Sequence, residues 1–131
     1  MANLLQGVVD EGTGRRLRFR YGFKNQIGGK TGTTQNHSDG WFIGITPDLA
    51  GGVWVGAEDR SIHFQNLANG QGASMALPIW ALFMQKVYAD KSLAVPQSDF
   101  QKPNGVNHVL DCGDADREGM TDYDSSDEIF D

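Results

Sequence analysis

The sequence predicts an α+β fold: a three-stranded antiparallel sheet with two flanking helices packed on one face. Three observations lead there. A glycine-rich strand at Ile27–Gln35 and apolar, β-rich runs at Trp41–Thr46 and Gly52–Ala57 are joined by short connections, which suit hairpins rather than the long crossovers of a parallel sheet. Leu77, Trp80, Phe83/Met84 and Val87 then recur at helical spacing, giving one heavily apolar face that must lie on the sheet. Near the start, Leu4, Leu5, Val8 and Val9 mark one face of a second helix.

Taken in order, the first helix spans Ala2–Asp10 and stops at Glu11-Gly12-Thr13-Gly14, where glycine offers a left-handed cap. It begins with no capping residue, as a cut chain would. Leu17, Phe19 and Tyr21 alternate with Arg16, Arg18 and Arg20, so this stretch reads as a short extended segment with a basic face. The strand pair Trp41–Thr46 and Gly52–Ala57 is linked through the turn Pro47-Asp48. A polar loop, Glu58–Gly72, precedes the long helix over Ala73–Tyr88. Ser74 stands where a cap would, and Pro78 fits the first turn, where a missing N–H costs little. The periodic contexts of Trp41, Trp54 and Trp80 place all three in the core.

Charge divides the chain in two. Residues 1–95 hold nine Lys/Arg and seven Asp/Glu, whereas residues 96–131 hold two and ten. A nearly neutral body with no basic stripe argues against a nucleic-acid binder. The expected organisation is therefore a domain over 1–95 and an acidic tail over 96–131, too polar to offset its ordering entropy. Cys112, the single cysteine, falls in that tail as a solvated thiol. No apolar run reaches the ~18 residues a membrane span needs, and Met1-Ala2-Asn3 lacks the basic-then-apolar pattern of a signal peptide.

The segment Gly28-Gly29-Lys30-Thr31-Gly32-Thr33-Thr34 concentrates the chemistry. A phosphate loop is the first candidate, and it fails twice. Lys24 occupies the position of the required first glycine, and an extended pattern follows the threonine where a helix should begin. As an edge strand, the segment makes better sense. Gly32 leaves room for a ligand backbone to pair along it. Thr31 and Thr33 point to one side, where both can donate to a carboxylate, and Lys30 points to the other.

Several blocks flank this strand in fixed order. They are Leu5-Gln6-Gly7-Val8-Val9-Asp10-Glu11-Gly12-Thr13-Gly14, Gly29-Lys30-Thr31-Gly32-Thr33-Thr34-Gln35, Ser38-Asp39-Gly40-Trp41-Phe42-Ile43-Gly44-Ile45-Thr46-Pro47, Val53-Trp54-Val55-Gly56, Gly72-Ala73 and Ala76-Leu77-Pro78-Ile79-Trp80. Over about residues 3–95 the chain resembles the C-terminal part of the transpeptidase domain of class A penicillin-binding proteins. The resemblance implies serine acyl transfer on D-alanyl-D-alanine stem peptides of peptidoglycan, inhibition by β-lactams, no cofactor, and a membrane-anchored parent on the periplasmic side.

Of the three motifs that meet in such a site, Ser-x-x-Lys, Ser-x-Asn and Lys-Thr-Gly, only the last is present. The resemblance assigns substrate binding to Lys30, Thr31, Gly32, Thr33 and Thr34. It gives Lys30 a catalytic-network role and makes the Thr33 backbone N–H one of two oxyanion donors, the other belonging to the absent serine. Losing one such donor costs roughly 2.7–4 kcal/mol, so the chain alone is expected to be inactive. The resemblance also implies a five-stranded parent sheet with Lys30–Thr34 at one edge, and a missing strand beside Val53–Ala57. The partners expected are therefore the absent N-terminal part of the domain or a second copy, pairing through that open edge. A non-catalytic module that binds peptidoglycan or a partner protein through the same strand is the rival reading.

The remaining candidates are weak. His37, His63 and His108 show no metal-ligand spacing. Asp114, Asp116, Glu118 and Asp122 imitate a calcium loop, yet Ser125 stands where the bidentate carboxylate is required. Asn36-His37-Ser38 is a formal glycosylation sequon, a pattern common by chance.

Overall fold

The computed structural model describes residues 1–104. Cys112, His108, the calcium-like pattern and most of the acidic tail lie outside the described residues. Elements follow as α1 (Ala2–Asp10), α2 (Arg16–Phe19), β1 (Gly28–Thr33), a 3-10 turn (Gln35–His37), β2 (Gly40–Ile45), β3 (Ala50–Val55), α3 (Leu67–Gly70), α4 (Gly72–Met75) and α5 (Leu77–Ala89). The strands form one antiparallel sheet in the order β1-β2-β3, the meander expected from the short connections.

Register sets the faces. Thr31, Phe42 and Val53 are aligned across the sheet, as are Gly32, Trp41 and Trp54. Because side chains alternate, Phe42 and Gly44 face α5, and Trp41 and Ile43 face the opposite way. Phe42 is fully buried, packed edge-on against Trp80 with ring centroids 5.4 Å apart. Trp80 lies over Gly44, where a side chain would collide with the indole ring. Its Nε1 donates to the Gly51 carbonyl at 3.1 Å. Val9, Leu17, Phe23, Ile27, Ala76, Leu77, Ala81 and Met84 complete the core.

Two of the three tryptophans expected in that core lie outside it. Trp41 and Trp54 are 45% and 47% exposed, paired on the far face with tilted rings whose centroids lie 6.4 Å apart. One face of β2 can serve only one apolar layer, and α5 takes the Phe42 face.

The segment read as extended and basic is helical instead. In α2, Leu17 turns into the core, while Arg18 folds back onto its own neighbourhood. Its guanidinium donates to the Phe23 and Asn25 carbonyls at 3.1 and 2.6 Å and pairs with Asp10 at 2.7 Å. These bonds use up the arginine that a solvated strand face would have displayed.

The long helix is two helices. α4 ends at Met75 and α5 restarts at Leu77, with Pro78 in its first turn. Ser74 lies inside α4 and caps nothing; its hydroxyl accepts from Arg16 Nη1 at 3.3 Å. α1 runs beside β1 and reaches both faces of the sheet. Leu5 abuts Gly28 and Ile45 on the Trp41 face, whereas Val9 enters the core. The compact unit extends from Met1 to Gln101, and Ser98 and Phe100 bond to Asp48 and Gln26 at 2.6 and 2.9 Å.

Candidate functional site

The two hairpin closures fix which backbone groups face outward. Thr34 N–H donates to the Asp39 carbonyl at 3.0 Å, and Thr46 N–H donates to the Leu49 carbonyl at 2.7 Å. Alternating away from these pairs, Gly28, Lys30 and Gly32 bond to β2. Gly29, Thr31 and Thr33 therefore turn their N–H and C=O groups toward the outer edge of β1.

The site residues expected from sequence fall into two groups. Thr31 and Thr33 share the α5-facing side of β1, and each hydroxyl has a second anchor. Thr31 Oγ1 lies 2.8 Å from Thr13 Oγ1, and Thr33 Oγ1 accepts from the Gly72 N–H at 3.0 Å. Lys30 is exposed on the other face, as alternation requires, and its Nζ donates to the Thr31 carbonyl at 2.8 Å. Gly32 bears its missing side chain toward the Trp41 side chain.

Thr34 is committed elsewhere. Its hydroxyl lies 3.0 Å from Ser38 Oγ, donates to Asp39 Oδ2 at 3.2 Å and accepts from the Asp39 N–H at 2.9 Å, closing the β1–β2 turn. Within that turn, Asn36 and His37 take positive φ values of 68° and 57°.

Asp39 organises this corner. Ser38 Oγ donates to Oδ2 at 2.9 Å, and Trp54 Nε1 reaches across from β3 to Oδ1 at 3.1 Å. The Ser38 hydroxyl holds the Asp39 carboxyl below the usual aspartate range against opposing desolvation, helped by Trp54, Thr34 and the charge of Arg60. A carboxyl depressed in the folded state stabilises the fold above its ordinary value of 3.8, and that contribution is lost as pH falls through the lower folded-state value. The acid limb of the stability curve, followed by urea unfolding between pH 7 and pH 3, is therefore expected to be shallower in Asp39→Asn than in the wild type. Equal slopes would remove Asp39 from the acid response.

Sequence reasoning missed Thr13 and Gly72 as neighbours of β1, and Arg16 as the link between them. Arg16 Nη1 donates to the Ala73 carbonyl at 3.1 Å, tying the loop that carries Thr13 to the helix that carries Gly72. A side chain at Gly72 would strike the Gly32 and Trp41 carbonyl oxygens. The only trace of this in the sequence is the glycine itself.

No protein-family model matches the chain. It is 36% identical over 101 residues to "Penicillin-binding protein 1A" of Aquifex aeolicus, covering 77% of this chain and 12% of that protein. With the protein of the same name from Pseudomonas aeruginosa it shares 36% identity over 108 residues, or 81% of this chain and 12% of the relative. The crystal structure of penicillin-binding protein 1A from Haemophilus influenzae superposes with a TM-score of 0.63 at 28% identity, over 79% of this chain and 15% of that one. The chain thus spans about one eighth of the length of the curated relatives it matches. By sequence and by fold together, it belongs with the class A penicillin-binding proteins, as a segment of one of them.

Proposed function

We propose that the chain forms one wall of a serine D,D-transpeptidase site, which cross-links peptidoglycan stem peptides and is acylated by β-lactams. The observation that supports this most is the outer edge of β1. Two threonine hydroxyls stand on one side of it, and the Thr33 N–H points outward between the strand and solvent. A carboxylate accepts hydrogen bonds and donates none, so paired hydroxyl donors suit a terminal carboxylate. An outward N–H suits a developing oxyanion. Lys30 adds positive potential and extends the network of the absent Ser-x-Asn motif. Gly32 leaves the strand bare where a ligand backbone would lie, and Thr34 acts only through the turn it closes.

No serine of the chain has a lysine three residues later, so the nucleophile and its base come from another part of the protein. The intact protein is then an extracytoplasmic, membrane-anchored enzyme that also carries a glycosyltransferase domain. Among the described residues, no helix is long and apolar enough to cross a membrane, so the anchor is assigned to that other part. Fluorescent penicillin tests the reading. Covalent labelling of the full-length protein, with none on the 131-residue chain, is the expected result. An unlabelled full-length protein overturns it and leaves a non-catalytic binding module.

The partner of the opposite edge follows from β3. Its strand Ala-Gly-Gly-Val-Trp-Val holds no charge and no proline, the usual guards of an edge. Alternation turns the backbone groups of Ala50, Gly52 and Trp54 outward, and among the described residues none of these has a partner. The isolated chain is expected to associate there, with the rest of its domain or with a second copy. Light scattering that finds a monodisperse monomer, unchanged by Gly52→Lys, would count against this.

A further inference from the structure

We propose that Thr13 is a positioning residue for the β1 hydroxyls, an inference that rests on the transpeptidase reading and deepens it. Thr13 lies in the loop after α1, 18 residues before Thr31, with the two hydroxyl oxygens 2.8 Å apart. The loop is built to hold that side chain in place. Glu11 and Gly12 N–H both donate to the Gly7 carbonyl at 3.0 Å, and Gly14 N–H donates to the Val8 carbonyl at 2.8 Å. A side chain on Gly12 would come within 2.9 Å of the Val8 backbone, and one on Gly14 within 3.1 Å of the Val8 oxygen. Both glycines let the loop seat directly on the last turn of α1.

Two residues further on, Arg16, the first residue of α2, bonds to the Ala73 carbonyl and the Ser74 hydroxyl of α4 and so ties the end of the loop to that helix. The first residue of α4, Gly72, in turn donates its N–H to Thr33 Oγ1. Loop and helix thus each hold one threonine of β1.

The polarity of these bonds gives the arrangement its function. Thr33 Oγ1 accepts from Gly72, so its own proton is free for a ligand. When a carboxylate approaches Thr31, that hydroxyl must also donate outward, and Thr13 then supplies the inward hydrogen bond to Thr31 Oγ1. A hydroxyl that accepts on one side is a better donor on the other. Thr13 therefore acts on the ligand through Thr31 without touching it.

Two measurements test this. In the isolated chain, three-bond couplings of the Thr31 side chain should report a single χ1 rotamer. Thr13→Val should give averaged couplings, and Thr13→Ser should restore the single rotamer. In the full-length protein, Thr13→Val should slow acylation by penicillin about five- to tenfold, the scale of one net hydrogen bond, with Thr13→Ser close to wild type. The same variant should leave acylation by the penicillin methyl ester, whose carboxylate is masked, unchanged. Thr13→Val should add nothing in a Thr31→Val background.

Averaged Thr31 couplings in the wild type, or an equal slowing with acid and ester, would overturn the role of Thr13. The second result would mark a general structural effect. A wild-type full-length protein that forms no penicillin adduct overturns the transpeptidase reading, and this role with it, whatever the couplings show.

Discussion

Trp80→Ala is expected to cost about 3–5 kcal/mol, the range for removing a large aromatic from a packed core. Most domains of this size are stable by only about 5–15 kcal/mol, so this single change removes a large share. Trp80 is 2% exposed. It lies edge-on to Phe42, lies 6.2 Å from Phe23, and covers the backbone at Gly44. Removing it leaves a cavity that glycine cannot fill from below. It also takes away the indole donor to the Gly51 carbonyl. Trp41→Ala provides the internal comparison. Half-exposed on the opposite face, Trp41 gives up its partial burial and the pair with Trp54, and such pairs are worth about 0.5–1.5 kcal/mol. Urea unfolding followed by circular dichroism separates the two. Equal losses for Trp80→Ala and Trp41→Ala would mean that the core is not organised around α5 as described.

Thr33→Val in the full-length protein is expected to lower the efficiency of penicillin acylation by about 10–150-fold. That range corresponds to the roughly 1.5–3 kcal/mol of a hydrogen bond to a charged group. Valine keeps the β-branched shape and suits a strand, so the sheet should persist. What is lost is the hydroxyl, which is the acceptor for the Gly72 N–H and, on the proposed function, a donor to the ligand carboxylate. Thr33→Ser keeps both functions and should stay within a few-fold of wild type. Thermal melting controls for the orphaned Gly72 N–H, whose loss of a partner costs about 1–3 kcal/mol in stability. An acylation rate unchanged by Thr33→Val would remove that hydroxyl from the site.

Much of the fold was legible because its signals are local. Short connections could join only antiparallel strands, and the spacing of Leu77, Trp80, Phe83/Met84 and Val87 identified α5 and, apart from the exposed Phe83, its buried face. Lys30 and the two threonines could be placed on opposite sides of β1 from the period of a strand alone. The Arg16–Phe19 segment was misread for the complementary reason. Four residues that alternate charged and apolar satisfy a strand pattern, yet a single helical turn buries Leu17 equally well and lets Arg18 reach the Phe23 and Asn25 carbonyls. Its partners lie several residues downstream, where no periodicity looks.

The sequence by itself determined the meander, the amphipathic helix and the strand that carries Lys30, Thr31 and Thr33, because each depends on neighbours along the chain. Only the tertiary structure decided which face of β2 would be buried. Both faces offered apolar side chains, and packing against α5 chose Phe42 over Trp41. Tertiary structure also decided what holds the threonines. Thr13 lies 18 residues from Thr31, and Gly72 lies 39 residues from Thr33. Hydrogen bonds across such separations leave no mark on local sequence, because they depend on where the folded chain returns and not on how it begins.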